Sequence, residues 1–227
     1  MLGGNKMSEL YSRINWNAAQ LWRGCVLAGI AHAITVAKYP LTSNEHSWDG
    51  WNYSVQDSAG QRGTVSFKNG CCVAAFRNDN SDRIYKVLKA EQYFKGAPKE
   101  IIELANSEAL QYLLDEIEGE TRPYITTAFW GKEKLYSNDS FEEILINGGN
   151  LLEYHVLDIE MVIESWKERY DMDNGQICLL KSIYTRRVND FNTFINLSQQ
   201  EVNLLGTNDE EGLEESRISF EELRVYW

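Results

Sequence analysis

The spacing of apolar and polar residues divides the chain into three regions. From residue 16 to 38 apolar residues fall on nearly every side of a helical wheel, and small residues recur at Gly24, Ala28, Gly29, Ala31 and Ala33. A helix apolar all round belongs inside a fold, and its small residues let neighbours approach closely. Residues 41–52, LTSNEHSWDGWN, are polar and aromatic without a period and read as a loop. The period then changes to two, which predicts three short antiparallel strands over 53–57, 62–67 and 71–77.

The turns fix the register of this meander. Asn69-Gly70 is a two-residue hairpin signal, because both central positions of the favoured turn need positive φ. It places Phe67 opposite Cys72, Val65 opposite Ala74 and Arg62 opposite Arg77. Val65, Phe67, Cys72, Ala74 and Phe76 then form a core face, and Arg62, Thr64, Ser66, Cys71, Val73, Ala75 and Arg77 the other. Ala59-Gly60, as the preceding turn, would set Asp57 opposite Arg62 and complete a cross-strand row Asp57–Arg62–Arg77.

The remainder reads mainly as helix. Ala97-Pro98 opens a helix to about Ile117, and Pro123–Trp130 is a further strand. Ser140 with Glu143 is a capping box for a short helix that Gly148-Gly149 stops. Leu152, Val156, Ile159, Ile163, Trp166 and Tyr170 form one helical stripe. Asp173-Asn174-Gly175 turns the chain into a second stripe of Ile177, Leu180, Tyr184, Val188, Phe191 and Ile195, which predicts an antiparallel helix pair. Ser198/Glu201 and Ser219/Glu222 are two more capping boxes, and Asp209-Glu210-Glu211 reads as a loop.

The fold class expected is α+β, a small antiparallel β-meander packed against a mainly helical body. One compact domain is expected over 1–227, with a helix at 16–38, the meander at 53–77 and the helical body at 98–226. Met-Leu-Gly-Gly-Asn-Lys reads as a disordered start, with Met7 an alternative initiator. Gly24–Ala33 resembles a leader core, but the long region before it carries Glu9 and Arg23, and the apolar run is too short to span a bilayer.

Charge restricts the partners. The chain holds 22 Lys/Arg and 34 Asp/Glu, a net charge of −12. Residues 1–80 carry seven bases and five acids, and residues 81–227 fifteen and twenty-nine. Such a surface repels phosphate backbones, which disfavours nucleic acid and anionic membrane and permits a basic protein partner. Cys25, Cys71, Cys72 and Cys178 show no metal-ligand spacing and read as reduced, which fits a cytoplasmic protein.

The most chemical stretch is His46, Trp48, Asp49, Trp51 and Asp57, with Arg62 and Arg77 from the meander. His46 and Asp49 could form an acid–base pair, the tryptophans could stack on a ring, and the arginines could receive an anion. The competing reading is a loop whose aromatics cover a core edge while the arginines are bridged internally. Cys71 with His46 as base reads better as a buried strand cysteine. His32 and His155 lie in helical runs and read as packed. Asp171, Asp173 and Gly175 do not make a calcium loop, since Tyr170 and Lys181 would fall at its first and twelfth positions. No metal site, cofactor motif or catalytic signature is present.

The wording WDGWNYSVQDSAGQRGTVSFKNGCCVAAFRN, with the later TTAFW and LLKSIY, resembles a family of uncharacterised bacterial proteins over most of residues 45–225. That resemblance carries over no activity and no catalytic residue. In character the chain is also similar to immunity proteins, acidic bacterial proteins that neutralise a toxin by binding it. Two functions are therefore expected in competition. One is a non-enzymatic protein that binds a basic partner; the other is a small-molecule binder or enzyme with a pocket beside residues 46–62.

Overall fold

The computed structural model describes residues 11–86 and 88–227. The expectation of a disordered start lies outside them. In chain order the elements begin with β1 (Ser12–Asn17), α1 (Ala18–Val36), β2 (His46–Asp49), β3 (Asn52–Gln56), β4 (Gln61–Lys68) and β5 (Cys71–Asn78). They continue with α2 (Lys99–Ser107), β6 (Leu114–Ile117), β7 (Glu120–Pro123), β8 (Thr127–Gly131), β9 (Lys134–Ser137) and α3 (Phe141–Ile146). The last are α4 (Ile159–Tyr170), α5 (Asn174–Asn189), β10 (Ile195–Asn196), α6 (Gln199–Asn203), α7 (Glu210–Glu222) and β11 (Val225–Tyr226). The fold is α+β, as the pattern predicts. The chain divides into two compact units, one of residues 1–18 with 59–150, the other of 19–58 with 151–227.

In the first unit the strands lie in the order β1-β9-β8-β5-β4, all pairs antiparallel. Asn69 (φ 54°) and Gly70 (φ 72°) form the β4–β5 turn. The register is the expected one, with Phe67 opposite Cys72 and Arg62 opposite Arg77. The meander's second face is not open, however. Cys71, Val73, Ala75, Ala128 and Trp130 are buried there under α2 and the 3-10 turns at Ala90–Phe94 and Ala109–Leu113. On the opposite face Phe76 packs on Phe129, which meets Trp16 edge to face.

Several elements differ from expectation for local reasons. Residues 12–17 alternate in burial and form β1, so the helix starts at Ala18 rather than at residue 16. The helix expected to reach Ile117 stops at Ser107. A 3-10 turn follows, then the β6–β7 hairpin, whose turn places Glu118 and Gly119 at positive φ. The strand expected over 123–130 is shorter, at Thr127–Gly131, and β9 continues it as a hairpin. The Ser140/Glu143 capping box does open α3.

The second unit is built on α1, in which every residue from Gly24 to Val36 is buried. Its small residues serve as expected: a Cβ on Gly24 would fall 1.8 Å from the His155 carbonyl oxygen, and one on Gly29 2.8 Å from the Trp48 ring nitrogen. The stretch expected as a loop contains the β2–β3 hairpin, with Trp48 opposite Tyr53 and Asp49 opposite Asn52. The single stripe from Leu152 to Tyr170 is two pieces, a 3-10 turn over Gly149–Val156 and then α4, because Asp158 caps a new helix at the Glu160 N–H.

Asp173 likewise caps α5 through a box with Gln176, and Lys181 on α5 reaches Glu160 on α4 at 3.1 Å. The buried face of α5 is Gln176, Leu179, Leu180, Ile183 and Arg187, so it is rotated from the expected stripe and contains a charge. Ser198/Glu201 caps α6 as expected. Ser219/Glu222 does not open a helix. Ser219 is inside α7, and Asp209, Glu210 and Glu211 are that helix's cap and first turn, where carboxylates meet free N–H groups.

Candidate functional site

The second unit gathers all three histidines of the chain. Alternation along β2 turns His46 and Trp48 inward and leaves Asp49 exposed, so His46 and Asp49 leave opposite faces and form no acid–base pair. His46 Nδ1 is 2.5 Å from the Tyr53 hydroxyl, which is 2.7 Å from His155 Nε2. One O–H thus joins two imidazoles, donating to one and accepting from the other. His32 on α1 lies with its ring centroid 5.0 Å from that of His46, and its Nε2 is 2.9 Å from the Thr42 carbonyl. Trp166 stands edge-on to both His46 and His155.

Burial keeps these rings neutral. It lowers His32 to about 4 and His155 to about 3, and holds His46 well below its ordinary value. Burial also raises the Tyr53 hydroxyl well above the usual phenol range.

The other expected site residues fall in both units. Trp48 is buried, and its backbone N–H donates to the Glu222 carboxylate at 2.7 Å. Trp51 stacks on Phe191 with centroids 6.1 Å apart. Asp57 follows β3 in this unit. Arg62 and Arg77 belong to the first unit, where Arg77 is bridged by Asp79 at 2.5 Å and by Asp115, with its guanidinium over the Tyr124 ring. Cys71 is buried in the core beneath α2, and all four cysteines are free thiols. Of the paired arginines, Arg186 bridges Glu201 at 2.6 Å. Arg187 is fully buried and donates to the carbonyls of Asp190, Phe191, Thr193 and Arg224.

A cleft of about 290 Å³ opens in the second unit where α1 and α4 end, lined by Thr35, Tyr39, Thr42, Glu45, Arg169, Tyr170 and Asp171. Arg169 lies over Trp166 and Tyr170, its guanidinium 5.7 and 6.0 Å from the ring centroids. Glu45 immediately precedes His46, so the cleft adjoins the histidine cluster, and the His32–Thr42 hydrogen bond ties the two together. None of these lining residues was legible as a site residue. Thr35 falls within the expected buried helix, Tyr170 closes the expected stripe from Leu152, and Asp171 figures only in the calcium loop that the spacing excludes.

Among the described residues no group of three or more His, Cys, Asp or Glu could hold a metal ion, and no helix is long and apolar enough to cross a membrane. No protein-family model, no curated protein and no solved structure matches the chain.

Proposed function

We propose that this is a non-enzymatic cytoplasmic bacterial protein that engages a basic protein partner through an acidic surface of its second unit, in the manner of an immunity protein. The observation that carries the reading is the partition of charge. The second unit holds nine Lys/Arg and nineteen Asp/Glu, the first thirteen and fifteen. On α7 and its cap, Asp209, Glu210, Glu211, Glu214, Glu221 and Glu222 are exposed. The one base inside that helix, Arg217, is taken up by Glu214 and Glu221.

A surface of this kind draws a cationic partner in from a distance and fixes its orientation. The test is association kinetics between the chain and a captured basic partner at rising salt. The on-rate should fall steeply, and Glu210→Lys with Glu211→Lys and Glu214→Lys should slow it further. Association indifferent to salt and to these reversals sinks the reading.

A second reading has its own support. The cleft beside Glu45 contains an arginine with no ion pair among the described residues, in a chain rich in acids. It is the reading of a small-molecule binder, tested by whether any small charged metabolite raises the melting temperature.

A further inference from the structure

Three charges around the cleft are left open. Arg169 makes no ion pair among the described residues, although carboxylates outnumber bases by 34 to 22 in the chain. Glu45 and Asp171, on the same cleft, make none either. Their opposite signs do not cancel across it, since neither carboxylate comes within ion-pair distance of the guanidinium. Arg169 is instead held by the aromatic faces of Trp166 and Tyr170, which suits a guanidinium kept available for a planar anion.

We propose that this cleft binds a small zwitterion of the amino-acid class, its carboxylate received by Arg169 and its ammonium by Glu45 and Asp171. The inference rests on the small-molecule reading of the cleft given above.

Four features point to that class. A simple anion would face two carboxylates, and a simple amine would face a guanidinium; only a ligand carrying both charges satisfies all three groups. The Thr35 and Thr42 hydroxyls spend their protons on the Ala31 and Tyr39 carbonyls, so they present lone pairs to a donor such as an ammonium. The C-terminal ends of α1 and α4 border the cleft, and the negative end of a helix dipole favours a cation. The Tyr170 hydroxyl is buried with no acceptor for its proton, beside the guanidinium, where a ligand carboxylate oxygen would accept it.

A volume of about 290 Å³ is at the lower limit of small-molecule sites, which run from ~300 to ~1,000 Å³, and suits a free amino acid better than a nucleotide or an oligosaccharide. Tyr39, half exposed at the rim, supplies an aromatic wall for the side chain.

The experiment uses the full chain. Free L-amino acids are screened by thermal shift, and the ones that act are titrated calorimetrically beside their decarboxylated and deaminated analogues. At least one amino acid should bind, both analogues should bind about tenfold more weakly or worse, and Arg169→Gln and Glu45→Gln should each weaken binding by about tenfold. Glu45→Gln should melt like the parent when unliganded, because that side chain has no ion pair to lose, and Arg169→Gln should melt slightly lower for its lost contact with Trp166 and Tyr170.

Equal binding of an amine or a carboxylate alone overturns the zwitterion while leaving the cleft a small-molecule site. Binding unchanged in both variants overturns the assignment to this cleft. No binding by amino acids, amines or carboxylates overturns the cleft reading itself.

Discussion

At the residue scale the second unit turns on one hydroxyl. Tyr53 is fully buried between two imidazoles that are held neutral. Replacing it by Phe keeps the ring and strands two buried nitrogens, at about 1–3 kcal/mol for each lost partner. We therefore expect Tyr53→Phe to lower unfolding free energy in urea by ~2–6 kcal/mol at neutral pH.

The histidines make the same region acid-sensitive. Their folded pKa values lie below the ordinary 6.5, with His32 at about 4 and His155 at about 3. The unfolded chain therefore binds more protons than the folded one once pH drops below 6.5. Their stabilising effect is complete above that pH and is lost as pH falls toward the folded values, at up to ~1.4 kcal/mol per unit per histidine. His32 alone accounts for about 3 kcal/mol of loss by pH 4. Urea midpoints measured from pH 7.5 to 4.5 should fall steeply, and less steeply in His32→Asn. Parallel profiles would mean that His32 carries no such burial penalty.

At the element scale, turns and caps decide where segments begin and end. Asn69-Gly70 was legible because the constraint is local: two adjacent positive φ values have few chemical solutions. Nothing lies within 4 Å of a Cβ placed on Gly70, so Gly70→Ala tests conformation alone. It should cost about 1 kcal/mol, read as a shift in urea midpoint with an unchanged slope.

The Ser140 and Ser198 boxes were legible for the same reason, whereas Ser219/Glu222 shows the limit. The same letters recur inside a helix already capped at Asp209, and spacing alone does not tell a start from an interior. Arg187 is the opposite case. Adjacent to Arg186, it reads as a candidate for an internal salt bridge, yet it donates to the four carbonyls of Asp190, Phe191, Thr193 and Arg224. Arg187→Met should cost several kcal/mol, about 1 or more for each carbonyl left dry, and should open residues 190–196 to protease before the rest of the chain.

At the scale of the whole molecule, both the excess acid and all three histidines fall in the second unit. Hydrogen exchange at about pH 4.5 should show α1, β2, β3 and residues 151–227 losing protection before β5 and β8. Uniform loss across both units would show that the histidines do not set acid stability. The division of charge was visible in the sequence only as a gradient along the chain, because residues 19–58 join the C-terminal portion in the fold.

What the sequence determined by itself was whatever depends on neighbours in the chain. That covers the α+β class, the register of β4 on β5, the small-residue faces of α1, two capping boxes and the acidity. Each follows from a period, a turn or a composition that no distant residue can alter. Only tertiary structure decided the rest: β1 and β2 as strands, the burial of the meander's second face, and α5's turn toward Arg187. The same holds for the meeting of His32, His46 and His155 about Tyr53, and of Glu45 with Arg169 and Asp171 around one cleft. His155 lies more than a hundred positions from Tyr53, and Arg169 more than a hundred from Glu45. Their meeting depends on which surfaces bury each other, an energy summed over the whole chain and absent from any local pattern.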